Sequence, residues 1–293
     1  MSKKGDDETT ATADDVLRRI FRMTVERLLA TESEALENAP DGVHQHRTYV
    51  RRLRSLLAAF RSHLDEPMAH ELRVGFGEWG DQLGVVRDIE VRAAVAETAM
   101  AELEIDDDDM RRRLVDSERE DVRRAHSRLR ELHDGPRSAA RMAALRAFVA
   151  DVPVTDATTL ASLREVARRE AHRVRRAVKR SDGSVESLHD VRKAGRRLRY
   201  VAEALRKASP DDFGEEFVEL AAGGEDVHDA LGDHRDELIF ITRIEIARAR
   251  AGRAGELVEH YDQLIERSTQ RAQDSLDGLD GAVKRMRKAA ADL

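Results

Sequence analysis

Two stretches of this chain carry histidine and arginine at a spacing that gathers them along one side of a helix. The first is Val43-His44-Gln45-His46-Arg47-Thr48-Tyr49-Val50-Arg51-Arg52-Leu53-Arg54. The second is Leu188-His189-Asp190-Val191-Arg192-Lys193-Ala194-Gly195-Arg196-Arg197-Leu198-Arg199. Both read as an apolar residue followed by H-x-x-R-x-x-x-R-R-L-R. An α-helix turns about 100° per residue, so Arg47, Arg51 and Arg54 fall roughly 60°, 20° and 80° to one side of His44. His189, Arg192, Arg196 and Arg199 make the same stripe, with Lys193 close beside it. Arg52 and Arg197 point roughly 80° the other way, which makes them weaker candidates. Val43, Val50, Leu53, Leu57 and Phe60 remain to face inward.

From Gly42 to Leu64 there is no Asp or Glu, although the chain as a whole has a formal net charge of -7. Like charges stacked at helical spacing destabilise a bare helix. Such a stripe calls for anionic partners, either carboxylates of the protein or a ligand. Arginine presents planar, bidentate donors suited to phosphate, and protonated histidine donates from both ring nitrogens. A single stripe would read first as a solvated or internally paired face. Its repetition shifts the balance toward a ligand. A second motif repeats as well: Leu83-Gly84-Val85-Val86-Arg87-Asp88 and Leu231-Gly232-Asp233-His234-Arg235-Asp236. His189 follows His44 by 145 residues and Gly232 follows Gly84 by 148. A nearly constant long offset signals repeated architecture. Asp88 and Asp236 are candidate partners for the arginines. Gly84 and Gly232 each cost a helix about 1 kcal/mol and suggest close helix packing. Arg119, Arg123, Arg173, Arg176 and Lys179 are further basic candidates, read first as ordinary solvated charge.

The elements that must carry these stripes are helices. Apolar residues are 41% of 293, enough for a core, and only 5 prolines interrupt the chain. Helical periodicity covers 12–38, 43–64, 67–103 and 106–133, with a last piece to Val149. Breaks fall at Asn38–Gly42, before Pro67 and at Gly135-Pro136. Asp151–Asp156 reads as a linker. Helices are expected again near 157–181, 185–208, 212–250 and 254–291, with breaks at Ser181–Gly183, Ser209-Pro210 and Ala251-Gly252. No run alternates with period two, so no strand is expected. The organisation that follows is a tail over 1–11, a first repeat over 12–150, a linker over 151–156 and a second repeat over 157–293. With no Cys, thiol catalysis, disulfides and Cys-based zinc sites are excluded, and a reducing, cytoplasmic setting fits. No apolar run is long enough to span a membrane.

These paired motifs resemble the conserved histidine α-helical domain, CHAD. Its signature is an apolar-His followed by R-x-x-x-[RK]-[RK]-L-R, then L-G-x-x-[RN]-D, and both halves carry it. Arg199-Tyr200 with Glu203 is similar to the family's L-R-Y-x-x-E ending. The resemblance covers roughly 12–291. It implies an all-α fold of two antiparallel four-helix bundles, related by a pseudo-twofold with a basic cavity between them. It also implies binding of inorganic polyphosphate by His44, Arg47, Arg51, Arg54, His189, Arg192, Lys193, Arg196 and Arg199. Family members often carry a triphosphate tunnel domain with an alternating E-x-E-x-K strand. The nearest run here, Glu102-Leu103-Glu104-Ile105-Asp106, lacks the Lys and ends a helix, so no catalytic role, cofactor or metal is expected.

Three rival readings use the same residues. A carboxylate-bridged metal enzyme would draw on the E-x-x-H pairs Glu186/His189 and Glu225/His228. The second pair has no repeat, and Arg192 and Arg196 make His189 a poor neighbour for a cation. Nucleic-acid binding would use the stripes, but aromatics for base stacking are only 4% of the chain. A structural scaffold would satisfy every charge internally. No phosphate-binding or nucleophile motif of the P-loop, G-x-S-x-G or G-x-G-x-x-G type is present.

Overall fold

The computed structural model describes residues 12–156 and 158–291, and the tail expected over 1–11 lies outside them. Among the described residues the elements are all helical, with one isolated bridge between Leu64 and Val154. In chain order they are α1 (Ala13–Ala30), α2 (Glu32–Leu36), α3 (Gly42–Ala59), α4 (Glu66–Glu102), α5 (Asp108–Arg111), α6 (Ser117–His133), α7 (Pro136–Ala150), α8 (Leu160–Arg180), α9 (Val185–Ala208), α10 (Glu215–Ala254), α11 (Glu259–Asp277) and α12 (Leu279–Ala289). A 3-10 turn, Arg61–His63, follows α3, and a π-helical turn, Arg112–Asp116, joins α5 to α6.

Local chemistry sets the boundaries. Thr12 opens α1 by accepting from the Asp15 amide, while the Asp15 carboxylate accepts from the Thr12 amide. The helix expected over 12–38 breaks at Thr31, whose hydroxyl donates back to the Leu28 carbonyl. Asn38 and Asp41 take positive φ in the turn that follows. Gly42 is required there, because a Cβ would sit 2.5 Å from the Glu34 carbonyl oxygen. Asp65 caps α4, with Pro67 in its first turn. α10 runs past the break expected at Ala251-Gly252 and stops at Gly255, whose φ of 74° suits a helix C-terminus. The last expected helix divides at Gly278 into α11 and α12.

The segment read as a linker is pinned. The Asp65 amide donates to the Pro153 carbonyl and the Thr155 amide to the His63 carbonyl, and Val152 is fully buried. Its valines, set among turn residues, pack into the core and hold the start of α8 beside the end of α3.

α4 and α10 are the longest elements, about 55 and 60 Å at 1.5 Å per residue. Their N-terminal parts share one core with α1, α3, α7, α8, α9 and α12. Phe21, Leu53, Phe76 and Leu83 join Leu198, Phe217 and Leu231 in it. Their C-terminal parts form a second cluster, where Met100 and Phe240 meet Met110, Leu114 and Tyr261. Between the two clusters both long helices turn polar, at Arg87–Arg92 and His234–Glu237. The L-G-x-x-R-D motif lies at this junction.

The α9–α10 crossing is closed by two glycines. A Cβ on Gly224 would sit 2.8 Å from both the Gly195 carbonyl oxygen and the Arg199 amide nitrogen, which are backbone and cannot swing aside. Gly224→Ala should therefore destabilise the protein by roughly 1–3 kcal/mol, the usual range for overpacking. Gly252→Ala, where a Cβ meets only Val258 Cγ1 at 3.9 Å, should stabilise it by about 0.5–1 kcal/mol. Urea unfolding of the two variants checks the contrast, and equal midpoints would refute it.

Candidate anion-binding site

α3 and α9 pack against each other, each flanked by its long neighbour, α4 or α10. Their apolar faces anchor them: Val43, Val50, Leu53 and Leu57 on α3, and Val191, Leu198, Val201 and Leu205 on α9, are buried. The opposite faces then border a shared cavity of about 540 Å³. His44, Arg47, Arg51 and Arg54 line it from α3, and His189, Arg192, Lys193, Arg196 and Arg197 from α9. α4 adds Arg73 and Arg87, and α10 adds His228 and Arg235. Ten Arg and Lys side chains thus meet three carboxylates, Asp81, Asp88 and Asp236.

Glycines on the long helices make beds for the guanidinium groups. A Cβ on Gly77 would lie 3.2 Å from Arg54 Nη2, on Gly84 3.1 Å from Arg47 Nη2, and on Gly232 3.3 Å from Arg192 Nη2. The close packing expected at Gly84 and Gly232 is therefore arginine laid against helix backbone. The Nε atoms of Arg47, Arg51, Arg54, Arg192 and Arg196 are covered and have no hydrogen-bond partner. Whatever else these groups bond must come from the cavity they line.

Carboxylates do little to neutralise them. Asp88 stands 3.9 Å from both Arg47 Nη2 and Arg235 Nη2, and Asp236 lies 3.4 Å from Arg235 Nη1. Among the described residues, Arg51, Arg54, Arg192 and Arg196 have no carboxylate within 4 Å; Arg51 donates to the Thr48 hydroxyl. Elsewhere the protein treats arginine differently. Glu118 takes Arg92 and Arg243, Glu237 takes Arg267 and Arg271, Glu170 takes Arg173 and Arg197, and Glu203 takes Arg52 and Arg199.

The cavity's electrostatics follow. Burial, then the positive charge of Arg51, pulls Arg196 down to about 10. Arg47 and Arg192 are lowered by burial first, and by neighbouring arginines. His44 is held below its ordinary value by burial, then by Arg87, and His189 by burial, then by Lys193 and Arg235. His228 falls to about 4, chiefly through burial; its Nδ1–H donates to Asp229 at 2.9 Å, and its covered Nε2 has no partner. Burial raises Asp236. The cavity resists further positive charge and favours an anion.

Not every sequence candidate reaches the cavity. Arg199 is tied to Glu203 and, at 2.9 Å, to Glu225, and does not line it. Counted at the motif offsets, Glu203 and Glu225 correspond to Ala58 and Gly77 in the first half. Small residues there leave Arg54 free, while glutamates capture Arg199. Arg52 bonds Glu203 and covers the Tyr200 ring. Arg197 lines the cavity but is held by Glu170 and the Ala58 carbonyl. Arg119 pairs with Glu97, and Arg123 is exposed on α6. Arg173 and Arg176 border a separate hollow between α8 and α9, Lys179 is exposed, and none of the three lines this cavity. Arg73, Arg87, Arg235 and His228 were missed. Arg73, Gly77, Gly80, Gly84, Arg87 and Asp88 recur at i, i+4, i+7, i+11, i+14 and i+15, one face of α4, and that spacing was available as a signal.

The metal-site pairs take other roles: Glu225 serves Arg199 and His228 serves Asp229. No cluster of three His, Cys, Asp or Glu able to hold a metal occurs among the described residues. Glu102 closes α4, and Glu104 follows in a turn at φ 52°. No helix among them is long and apolar enough to cross a membrane.

The chain is 28% identical over 294 residues to uncharacterized protein Rv2226 of Mycobacterium tuberculosis. The same identity holds for uncharacterized protein MT2285 of a second strain. Each match covers 94% of this chain and 54% of the relative, so the chain spans about half their length. Its fold is similar to the crystal structure of the CHAD domain from the plant Ricinus communis, with a TM-score of 0.68 at 19% identity, covering 97% of this chain and 93% of that one. It is also similar to PptA from Streptomyces chartreusis, with a TM-score of 0.63 at 20% identity, covering 96% and 99%. The CHAD domain profile matches residues 19–245, most of the chain, and includes both stripes and both glycine motifs; the chain belongs to the CHAD domain family.

Proposed function

We propose that the cavity binds inorganic polyphosphate and holds it without cleaving it. The observation that carries this reading is the set Arg51, Arg54, Arg192 and Arg196, which line one cavity and, among the described residues, have no carboxylate within 4 Å. Arg92, Arg243, Arg267 and Arg197 are each given a glutamate where they are covered; Arg51, Arg54, Arg192 and Arg196 are given space. A linear ligand suits the shape. Arg73 and Arg87 both line the cavity from α4 and lie about 21 Å apart along its axis, too far for one phosphate to touch both. Among the described residues no Trp, Tyr or Phe lines the cavity, so bases would find only the small rings of its histidines to stack on, which favours polyphosphate over nucleic acid. Fixed cations spread along a path bind every phosphate alike, and uniform binding does not accelerate cleavage. Under the same proposal, residues 12–150 and 157–293 are two copies of one unit, joined through 151–156, and each brings one stripe to the shared cavity.

Replacing Arg51 and Arg196 together with Ala should weaken long-chain polyphosphate binding by about 100-fold or more. Each charge-assisted contact is worth roughly 1.5–3 kcal/mol. Replacing the exposed Arg22 and Arg137 should change it little. Affinity should fall steeply with salt in the parent and less steeply in the cavity variant. Titration calorimetry at two salt concentrations reads both, and parent-like binding by a folded cavity variant would end this reading.

Binding should also depend on pH. His44 and His189 lie below 6.5 in the empty cavity, and phosphate raises them by offsetting the surrounding cations. Binding then takes up protons, so affinity rises as pH falls through the bound-state values and levels off below the free-state values. A His44→Gln/His189→Gln variant should flatten the profile; an unchanged profile would rule these histidines out.

The empty protein should gain from losing one cavity charge. Arg196→Met removes a buried cation beside Arg51 and Arg192, and should raise stability by about 1–3 kcal/mol. Added polyphosphate should then raise the melting temperature less than it does in the parent. A melting temperature below the parent's would contradict this.

A further inference from the structure

α8 carries its own unmet charge. From Ala171 to Ser181 it holds Arg173, Arg175, Arg176, Lys179 and Arg180 with no Asp or Glu. Other exposed helices interleave the two signs: on α6, Arg124 meets Asp121 and Arg128 meets Glu131. A solvated face of that kind is laced with opposite charges at i, i+3 or i+4; on this part of α8 only Arg173 has such a partner, the buried Glu170. It borders a second hollow, of about 1100 Å³, between α8 and α9. Arg169, Arg175, Arg176 and Arg180 line this hollow and have no carboxylate within 4 Å among the described residues. Its two acids are already engaged, Glu165 with Arg168 and Asp190 with Lys193.

Lys193 and Arg197 line both this hollow and the central cavity. Glu170, 3% exposed, fixes the sill between them by gripping Arg173 and Arg197. We propose that the α8 groove continues the binding path, so that a long polyphosphate chain leaving the cavity over Lys193 and Arg197 runs on along α8. The proposal rests on the reading of the central cavity as a polyphosphate site. The groove cations from Arg169 to Arg180 extend about 17 Å along the helix, room for several further phosphates. Among the described residues no Trp, Tyr or Phe lines the groove, and His172 is its one aromatic ring, so a single-stranded nucleic acid would gain little base stacking there beyond its backbone charge. The consequence is selection by length: a short chain fills the cavity alone, and a long one engages both surfaces.

The test compares tripolyphosphate, long-chain polyphosphate and oligo-dT on three proteins: the parent, a groove variant (R169A, R175A, R176A and R180A) and the cavity variant (R51A and R196A). The groove residues are exposed, and removing stacked like charges preserves or raises helix stability. A melting curve at least equal to the parent's verifies the fold. The groove variant is expected to hold tripolyphosphate within about twofold of the parent. It should lose about tenfold for the long chain, with a logarithmic salt slope shallower by roughly 3, as four lost phosphate contacts require. The cavity variant should lose both ligands. If the groove variant binds the long chain like the parent while the cavity variant does not, the groove proposal is overturned and the cavity reading stands. If the parent binds neither ligand, both fail together. If the groove variant loses only oligo-dT binding, the groove serves nucleic acid and the continuation is wrong.

Discussion

Burying guanidinium groups of like charge side by side costs free energy that the empty protein does not recover, and the architecture is arranged around that cost. Arg51 approaches Arg192 and Arg196 closely enough to lower the proton affinity of both. They stay in place because each sits on a helix whose opposite face is committed to the core, Leu53 and Leu57 on α3 and Leu198 and Val201 on α9. Gly77, Gly84 and Gly232 let the side chains lie flat against α4 and α10. Asp88, 3.9 Å from an arginine of α3 and another of α10, eases the repulsion across the junction without closing the cavity. Glu118, Glu170, Glu203 and Glu237 neutralise arginines in this way elsewhere in the protein, and no glutamate does so for Arg51, Arg192 or Arg196 among the described residues. An acidic exterior around this basic interior also discourages indiscriminate adhesion to polyanions and leaves attraction to the cavity's own field.

The two stripes are alike in sequence and unlike in availability. Arg54 is free because Ala58 and Gly77 stand where the second half has Glu203 and Glu225, which hold Arg199. His228 stands at the position of Gly80, and Arg73 at that of Ala221. The first half therefore supplies more unpaired charge. Lys193 and Arg197 lead from the second half toward α8, so the cation path has two different ends.

The helices and both stripes were legible because a 3.6-residue period places apolar and basic residues on opposite faces wherever they recur. The apolar set from Val43 to Phe60 is buried, and the glycine motifs lie against α3 and α9 as close packing requires. Other features depend on tertiary partners. Arg199 had the angle of Arg54; Glu203, four residues on, was a visible partner for it, but the second, Glu225 of α10, is met only in space. Residues 151–156 had linker composition, yet Val152 and the backbone bonds to His63 and Asp65 make the segment part of the core. Arg73 lay in no repeated motif, and its role depends on the glycine face it shares with Gly77 and Gly84. α8 read as solvated charge because the hollow beside it forms only when α9 packs against it.

The central claim is that the unpaired arginines of α3 and α9 are the seat of a linear phosphate chain. The most direct measurement is a structure of the protein determined with bound polyphosphate. The account predicts phosphate oxygens within hydrogen-bonding distance of the guanidinium groups of Arg51 and Arg54 on one side and of Arg192 and Arg196 on the other. A chain bound elsewhere on the surface, with these four arginines untouched, would contradict it.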